Sequence, residues 1–190
     1  SGKMGFALAS RLADLGADVT LIAGPVSLPT PPRVQTRIDI STAEELYEAT
    51  MAVWPKMNAG IACAAVADLK PKDAANKKLH KGEFPDAVEL EKTPDTLAAM
   101  GESKLEGQLL MGFALETDNG VDSAMCKLER KNLDVVVLNT LADDGAGFSH
   151  DTNKVTVIKR VGVDTEMRSF ELKSKHEVAR DLVDMLFPTK

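Results

Sequence analysis

The sequence predicts an α/β fold of three layers, in which a mostly parallel sheet carries helices on both faces. Continuous apolar runs alternate with amphipathic helical segments along the 190 residues, at the spacing of βαβ units. Hydrophobic residues make up 44% of the chain, which is enough to form a core. Aromatic residues make up only 4%, which disfavours a sandwich or barrel built on aromatic ladders.

The helices are predicted from apolar spacing and from residues suited to helix ends. Ser41 with Glu44 three residues later predicts a capping box, and Ser174 predicts the N-cap of the last helix. Pro94 is predicted at the first position of the third helix, where proline is favoured. In chain order, the predicted helices cover residues 5–15, 43–51, from 93 onward, 120–131 and 176–187.

The strands are predicted from apolar runs typical of strands that are buried on both faces. A lysine-rich stretch over residues 69–92 predicts a long, partly extended flap. Because ligands of parallel sheets lie at the carboxyl ends of the strands, the residues after each strand are candidates for a site. In chain order, the predicted strands cover residues 18–23, 34–40, 60–67, 108–115 and 133–138, followed by a hairpin of 155–161 with 167–172.

Charge and cysteine content exclude several classes of partner. A net charge of −6 disfavours broad binding to nucleic acid or to an acidic membrane. No apolar run reaches the roughly 20 residues that a membrane span needs. Cys63 and Cys126 do not make a disulfide framework, so the composition predicts a reduced, cytoplasmic setting.

Three segments could bind an anionic ligand, and each also has an ordinary structural interpretation. Ser1, Gly2 and Lys3 precede a helix, so they could hold a phosphate or simply begin that helix. Asp68 follows a strand of small residues, so it could bond ribose hydroxyls or a metal, or be a turn residue. The third is a lysine run that could be a solvated face or a flap closing over a polyanion: Lys70, Lys72, Lys77, Lys78 and Lys81.

Other polar residues leave their alternatives open. Glu116 and Asn119 follow a strand and could be site residues or helix caps. Lys127, Arg130 and Lys131 stand at the end of a predicted helix, where positive charges suit the helix dipole and usually lie on the surface. The three histidines, at 80, 150 and 176, lack the spacing of metal ligands.

Several motifs in order resemble the bacterial phosphopantothenate–cysteine ligase family, the synthetase half of the bifunctional coenzyme A biosynthesis flavoprotein. The resemblance spans nearly the whole chain and implies a Rossmann-like fold with a β-hairpin and flap extension. Residues 1–5 are similar to the end of the motif N-x-S-S-G-K-M-G. The other segments that carry the resemblance are 24–31, 64–68, the Lys78/Lys81 pair, 112–117, 131–134, and Gly147 and Phe148 with Asp151 and Asn153.

The resemblance implies a two-step ligation and a set of partners. The carboxylate of 4′-phosphopantothenate attacks CTP to give an acyl-cytidylate, and the amine of L-cysteine then displaces CMP. Mg²⁺ would share in neutralising the triphosphate. The family also implies a homodimer, with the flap at the interface, and fusion to a flavin-dependent decarboxylase domain.

Roles for individual residues follow only from matching them to the family motifs. Lys78 is the expected catalytic residue. The expected substrate-binding residues are Ser1, Gly2 and Lys3. The expected nucleotide-binding residues are Ala62, Cys63, Ala64, Asp68, Lys78, Pro94, Asp95, Thr96, Leu97, Phe113, Lys127 and Lys131.

Two departures from the family pattern leave alternatives. We expect a single ligase domain over residues 1–190 that lacks the family's first strand, glycine-rich loop and upstream asparagine. The alternative is therefore a nucleotide-binding module without turnover. A nicotinamide-dependent oxidoreductase is weaker, because the chain lacks G-x-G-x-x-G and has Gly24-Pro25 where an acidic ribose ligand would stand. Lys77 and His80 also alter the lysine pattern around Lys78.

Overall fold

The structure, a computed structural model, confirms the α/β fold class. It describes residues 1–75, 77–81, 85–116, 120–140 and 151–187, apart from the side chains of Glu116 and Thr140. The helices are α1 (Lys3–Asp14), α2 (Ala43–Val53), α3 (Thr96–Glu102), α4 (Gly120–Arg130) and α5 (Lys175–Leu186). The strands are β1 (Thr20–Ala23), β2 (Thr36–Asp39), β3 (Ala59–Ala62), β4 (Leu69–Pro71), β5 (Leu90–Lys92), β6 (Leu109–Glu116), β7 (Val135–Thr140), β8 (Thr152–Val161) and β9 (Asp164–Ser174).

A mixed five-stranded sheet with the order β3-β6-β7-β8-β9 forms the centre of the domain. β6 lies parallel to β3 and to β7, whereas β8 and β9 form the antiparallel hairpin expected from the sequence. β1 and β2 form a separate parallel pair. β4 and β5 pair antiparallel at the base of the predicted flap.

Alternate residues of the central strands pack on opposite faces of the sheet, as the twofold side-chain period of a strand requires. One face, with Val135 and Val157, packs against α1 and α5. The other face, with Val136 and Ile158, packs against α3, α4 and the buried Trp54. These two helical layers confirm the three-layer prediction. No helix within the described ranges is long and apolar enough to cross a membrane.

Helices α1 and α5 run parallel, with both N-termini at the carboxyl edge of β7. Arg11, near the end of α1, donates to Asp184 near the end of α5 over 2.8 Å. At the other end, Lys3 contacts the Asp151 carboxylate, and the Lys175 amide donates to the Asp151 carbonyl over 2.9 Å. The two positive helix ends therefore lie beside the same segment of chain.

The structure corrects three local predictions. The capping box of α2 is formed by Thr42 with Glu45, one residue later than predicted, because Glu44 instead contacts Lys70 of the flap. Asp95, not Pro94, precedes the first helical residue of α3, since the Asp95 side chain caps the Ala98 amide from a non-helical backbone. The predicted strand over 60–67 ends at residue 62, where its pairing with β6 stops. By contrast, the predicted cap at Ser174 is confirmed.

Candidate functional site

The end of β3 leaves part of β6 open at the carboxyl edge of the sheet. Ala62 is the last residue of β3 and pairs opposite Gly112, whereas β6 continues to residue 116. Cys63 and Ala64 therefore leave the sheet beside Phe113, whose edge on this side has no strand partner among the described residues. Gly112 allows Leu97 of α3 to come close, because a Cβ at this position would lie 2.8 Å from Leu97 Cδ2.

Two lysines four residues apart, Lys127 on α4 and Lys131 just after its end, lie near this open edge. Lys127 Nζ donates to the Phe113 carbonyl over 2.6 Å. Lys131 Nζ lies 2.9 Å and 2.8 Å from the two carboxylate oxygens of Asp95. We call these four residues, Asp95, Phe113, Lys127 and Lys131, the lysine corner. The structure thus brings together four residues that the sequence predicted for the nucleotide.

Asp95 is held in its charged form. Burial alone would raise the pKa of its carboxyl group. Hydrogen bonds from Lys131 and from the Ala98 amide, together with the charges of Lys131 and Lys127, outweigh burial and lower the pKa below its ordinary value of 3.8. The carboxylate is therefore negative at neutral pH and serves both as the α3 cap and as the counter-ion of Lys131.

A close contact between α3 and the end of α4 fixes the lysine corner. A Cβ at Gly101 would lie 1.9 Å from the Lys131 carbonyl oxygen, so only glycine fits there without a shift of the backbone. The Asn132 side-chain amide also donates to the Gly101 carbonyl over 3.0 Å. These contacts set the distance between Asp95, at the start of α3, and the Lys131 ammonium.

The base of the flap connects Asp68 to the lysine corner. The Thr93 amide donates to the Asp68 carbonyl over 3.0 Å, and the Thr93 hydroxyl donates to the Ala67 carbonyl over 2.5 Å. Thr93 lies two residues before Asp95. Asp68 and the N-terminus of α3 are therefore held side by side, although β4, β5 and the flap separate them in sequence.

The flap lysines divide into two groups. Lys70 contacts Glu44 of α2 and lies 3.2 Å from Glu91, and Lys72 lies 3.2 Å from Glu89. These two lysines hold the flap base together and to α2. Lys77, Lys78 and Lys81 lie in the exposed segment between β4 and β5, together with His80. The first group is thus occupied by carboxylates, whereas the second lies on the exposed part of the flap.

The N-terminus of α1 adds a second positive region near Cys63. Gly2 is the N-cap residue and adopts a left-handed backbone (φ 72°), and Lys3 is the first helical residue. A Cβ at Gly5 would lie 3.8 Å from the Cys63 Cβ, so α1 begins next to the end of β3. Burial raises the pKa of the Cys63 thiol to about 12. The Cys63 thiol is therefore uncharged at neutral pH.

Several further polar side chains are buried, and the burial of Lys175 was not predicted from the sequence. Lys175 is only 5% exposed, and burial, reinforced by the charge of Lys3, lowers the pKa of its ammonium while Asp151 opposes this shift. Asn153 is 3% exposed. Buried oxygens without a hydrogen-bond partner in the described part of the chain include Oγ1 of Thr96 and Oδ1 of Asn139 and Asn153. The family resemblance had singled out Thr96 and Asn153, and the sequence had indicated Asn139 by its position at the end of a strand.

Some predicted residues fall outside the structural description. Asn119, Gly147, Phe148 and His150 lie outside the described residues, as does the side chain of Glu116. Among the residues that are described, no group of three or more His, Cys, Asp or Glu side chains could hold a metal ion. The described residues thus provide an open strand edge and lysines, which suit an anionic ligand.

The fold and the site together define an α/β domain of the nucleotide-binding type, with its polar residues at the carboxyl edge of the sheet. The chain belongs to the DNA/pantothenate metabolism flavoprotein C-terminal domain family, which it matches over residues 1–188. It is 44% identical over 96% of its length to a cysteine/cysteine sulfinic acid decarboxylase from an unknown prokaryotic organism, of which it covers 50%. It is 41% identical over 97% of its length to the coenzyme A biosynthesis bifunctional protein CoaBC of Haemophilus influenzae, of which it covers 44%.

Solved structures support the same assignment. The C-terminal domain of the coenzyme A biosynthesis bifunctional protein CoaBC superposes with a TM-score of 0.79 at 35% sequence identity. That match covers 98% of this chain and 81% of the other. The chain spans about half the length of the curated relatives it matches. The expected family and fold are therefore confirmed.

Proposed function

We propose that the chain is a phosphopantothenate–cysteine ligase that couples 4′-phosphopantothenate to L-cysteine with CTP. The observation that carries the proposal is its similarity over almost its full length to the C-terminal domain of CoaBC. A decarboxylase activity, suggested by the name of one relative, is not favoured, because the chain matches the C-terminal domain family and the solved C-terminal domain of CoaBC. The family also favours a ligase over a binding module without turnover.

In the first step, a carboxylate oxygen of 4′-phosphopantothenate attacks the α-phosphorus of CTP. A P–O bond forms, the bond to pyrophosphate breaks, and an acyl-cytidylate results. Lys78 is the proposed catalytic residue, since a flap ammonium can stabilise the charge that develops on the phosphates. In the second step, the cysteine amine attacks the acyl carbon, CMP leaves with the electron pair, and the amine loses a proton to solvent.

The nucleotide is proposed to lie along the open edge of β6. The backbone of Ala62, Cys63 and Ala64 would line it, Asp68 would bond its ribose, and Phe113 would pack on it. The start of α3 would offer backbone groups. The remaining proposed contacts are Pro94, Asp95, Thr96, Leu97, Lys127 and Lys131 for the nucleotide, and Ser1, Gly2 and Lys3 for the acyl substrate.

Further parts of the proposal concern the metal and the surroundings of the chain. Mg²⁺ would enter bound to the phosphate oxygens of CTP, which are ligands that this ion prefers. A homodimer, a cytoplasmic location and fusion to a flavin-dependent decarboxylase remain predictions from the family. The preference for CTP over ATP has the same basis.

The test is release of pyrophosphate from CTP with 4′-phosphopantothenate, measured with and without cysteine. We expect release that depends on the acyl substrate, and formation of the amide only when cysteine is present. Lys78→Gln should lower the rate roughly 100-fold, as loss of a group that stabilises developing charge does. Lys72→Gln is the matched control, because Lys72 is already paired with Glu89.

The outcomes separate the alternatives. Equal rates for Lys78→Gln and its parent would remove Lys78 from the mechanism. A chain that CTP protects against heat, but that releases no pyrophosphate under any of these conditions, would be a nucleotide-binding module.

A further inference from the structure

The two lysines of the lysine corner differ in the charge of their hydrogen-bond partners. Lys127 donates to the neutral main-chain carbonyl of Phe113. Lys131 has both oxygens of a carboxylate within 2.9 Å. Its side chain is 20% exposed, against 51% for Asp95, so the carboxylate lies on the solvent side of the pair. An approaching ligand therefore meets the negative charge of Asp95 beside the ammonium of Lys131.

This arrangement discriminates between charged and uncharged groups. A phosphate would have to displace Asp95 from Lys131 or lie next to a like charge, and each costs binding energy. An uncharged polar group avoids this cost, because it can accept from the lysine N–H groups and donate to the carboxylate. A ligand that leaves polar groups of the site unpaired binds much more weakly than one that pairs them, so the site can discriminate strongly between the two.

We propose that Asp95 is a specificity-determining residue that keeps phosphate groups out of the lysine corner. The corner then takes the uncharged base-and-sugar end of the nucleotide, and the phosphates are directed to the lysines of the flap and of the α1 N-terminus. The inference rests on the proposed function, because it assumes a nucleotide in this site. Asp95 acts through its charge on Lys131 and takes no part in the chemical steps.

The experiment measures binding of three probes, CTP, cytidine and inorganic pyrophosphate, by calorimetry. Asp95→Asn and Asp95→Ser remove the charge but keep a side chain that caps helices as well as aspartate does. We expect pyrophosphate to bind about three- to tenfold more tightly to both variants, the gain from removing one like charge near a solvated site. Selectivity for CTP over pyrophosphate should fall, and the affinity for cytidine should not increase.

Two controls separate a local effect from a general one. Glu129→Gln removes a carboxylate charge from α4, about 200° around the helix axis from Lys127, and should leave pyrophosphate binding unchanged. Adding Lys131→Gln to Asp95→Asn should abolish the gain, because the released ammonium is its source.

The possible results are distinguishable. Unchanged pyrophosphate affinity in Asp95→Asn, or an equal gain in Glu129→Gln, would overturn the role of Asp95 while CTP binding to the parent still supports the nucleotide site. Failure of the parent to bind CTP at all would overturn the proposed function and this inference with it.

Discussion

Replacement of Gly101 by alanine tests the contact that sets the lysine corner. The added methyl group would lie 1.9 Å from the Lys131 carbonyl oxygen and 2.8 Å from its carbon. Both atoms belong to the main chain, so no side-chain rotation relieves the overlap, and α3 must move away from α4. Overpacking of this severity costs about 3 kcal/mol, against a gain of about 0.5–1 kcal/mol from replacing glycine in a helix.

The net loss of about 2 kcal/mol should lower the melting temperature by about 4–8 °C in a domain of this size. Gly5→Ala is the matched control, since this glycine also lies in a helix and its Cβ would meet Cys63 at an ordinary 3.8 Å. It should melt at or slightly above the temperature of the parent. Scanning calorimetry at one protein concentration measures both. A Gly101→Ala variant as stable as its parent would refute the argument.

Three other predictions concern single side chains. Asp68→Ala should weaken CTP binding more than phosphopantothenate binding in separate calorimetric titrations, and an unchanged affinity for CTP would exclude a ribose contact. Because burial raises the pKa of the Cys63 thiol to about 12, a thiol reagent at pH 7.5 should label only the exposed Cys126 rapidly, and two fast thiols would contradict this. The lowered pKa of Asp95 stabilises the fold above the ordinary value of 3.8, and this stability is lost as pH falls through the native value. Urea unfolding at pH 6 and pH 3 should therefore show a smaller acid loss for Asp95→Asn than for the parent.

Local sequence signals located most elements, and tertiary contacts decided their ends. The cap at Ser174 was predictable because one serine stands three residues before one glutamate. Residues 41–45 allow two overlapping capping boxes, Ser41 with Glu44 or Thr42 with Glu45. The contact of Glu44 with Lys70 leaves Glu45 to form the box that the structure shows. The apolar run 60–67 contains no signal for where its partner strand ends, so its length was overestimated.

The candidate site was predictable in its composition but not in its pairings. Motif resemblance singled out Asp95, Lys127 and Lys131, although they are up to 36 positions apart. Nothing in the sequence indicates that Asp95 neutralises Lys131, because that contact depends on the close approach of Gly101 to the Lys131 backbone. Lys175 escaped notice because a lysine after a cap residue usually lies on the surface.

Because α1 packs on α5, the two faces of the central sheet receive their covering helices at different times during synthesis. The face covered by α3 and α4 draws on residues from Trp54 to Ile158, so it can assemble while the ribosome still holds the rest of the chain. The other face needs Leu8 from the first helix and Leu182 from the last. The apolar side of α1 therefore lacks the cover of α5 until residues 175–186 have emerged, and exposed apolar surface of this kind favours aggregation.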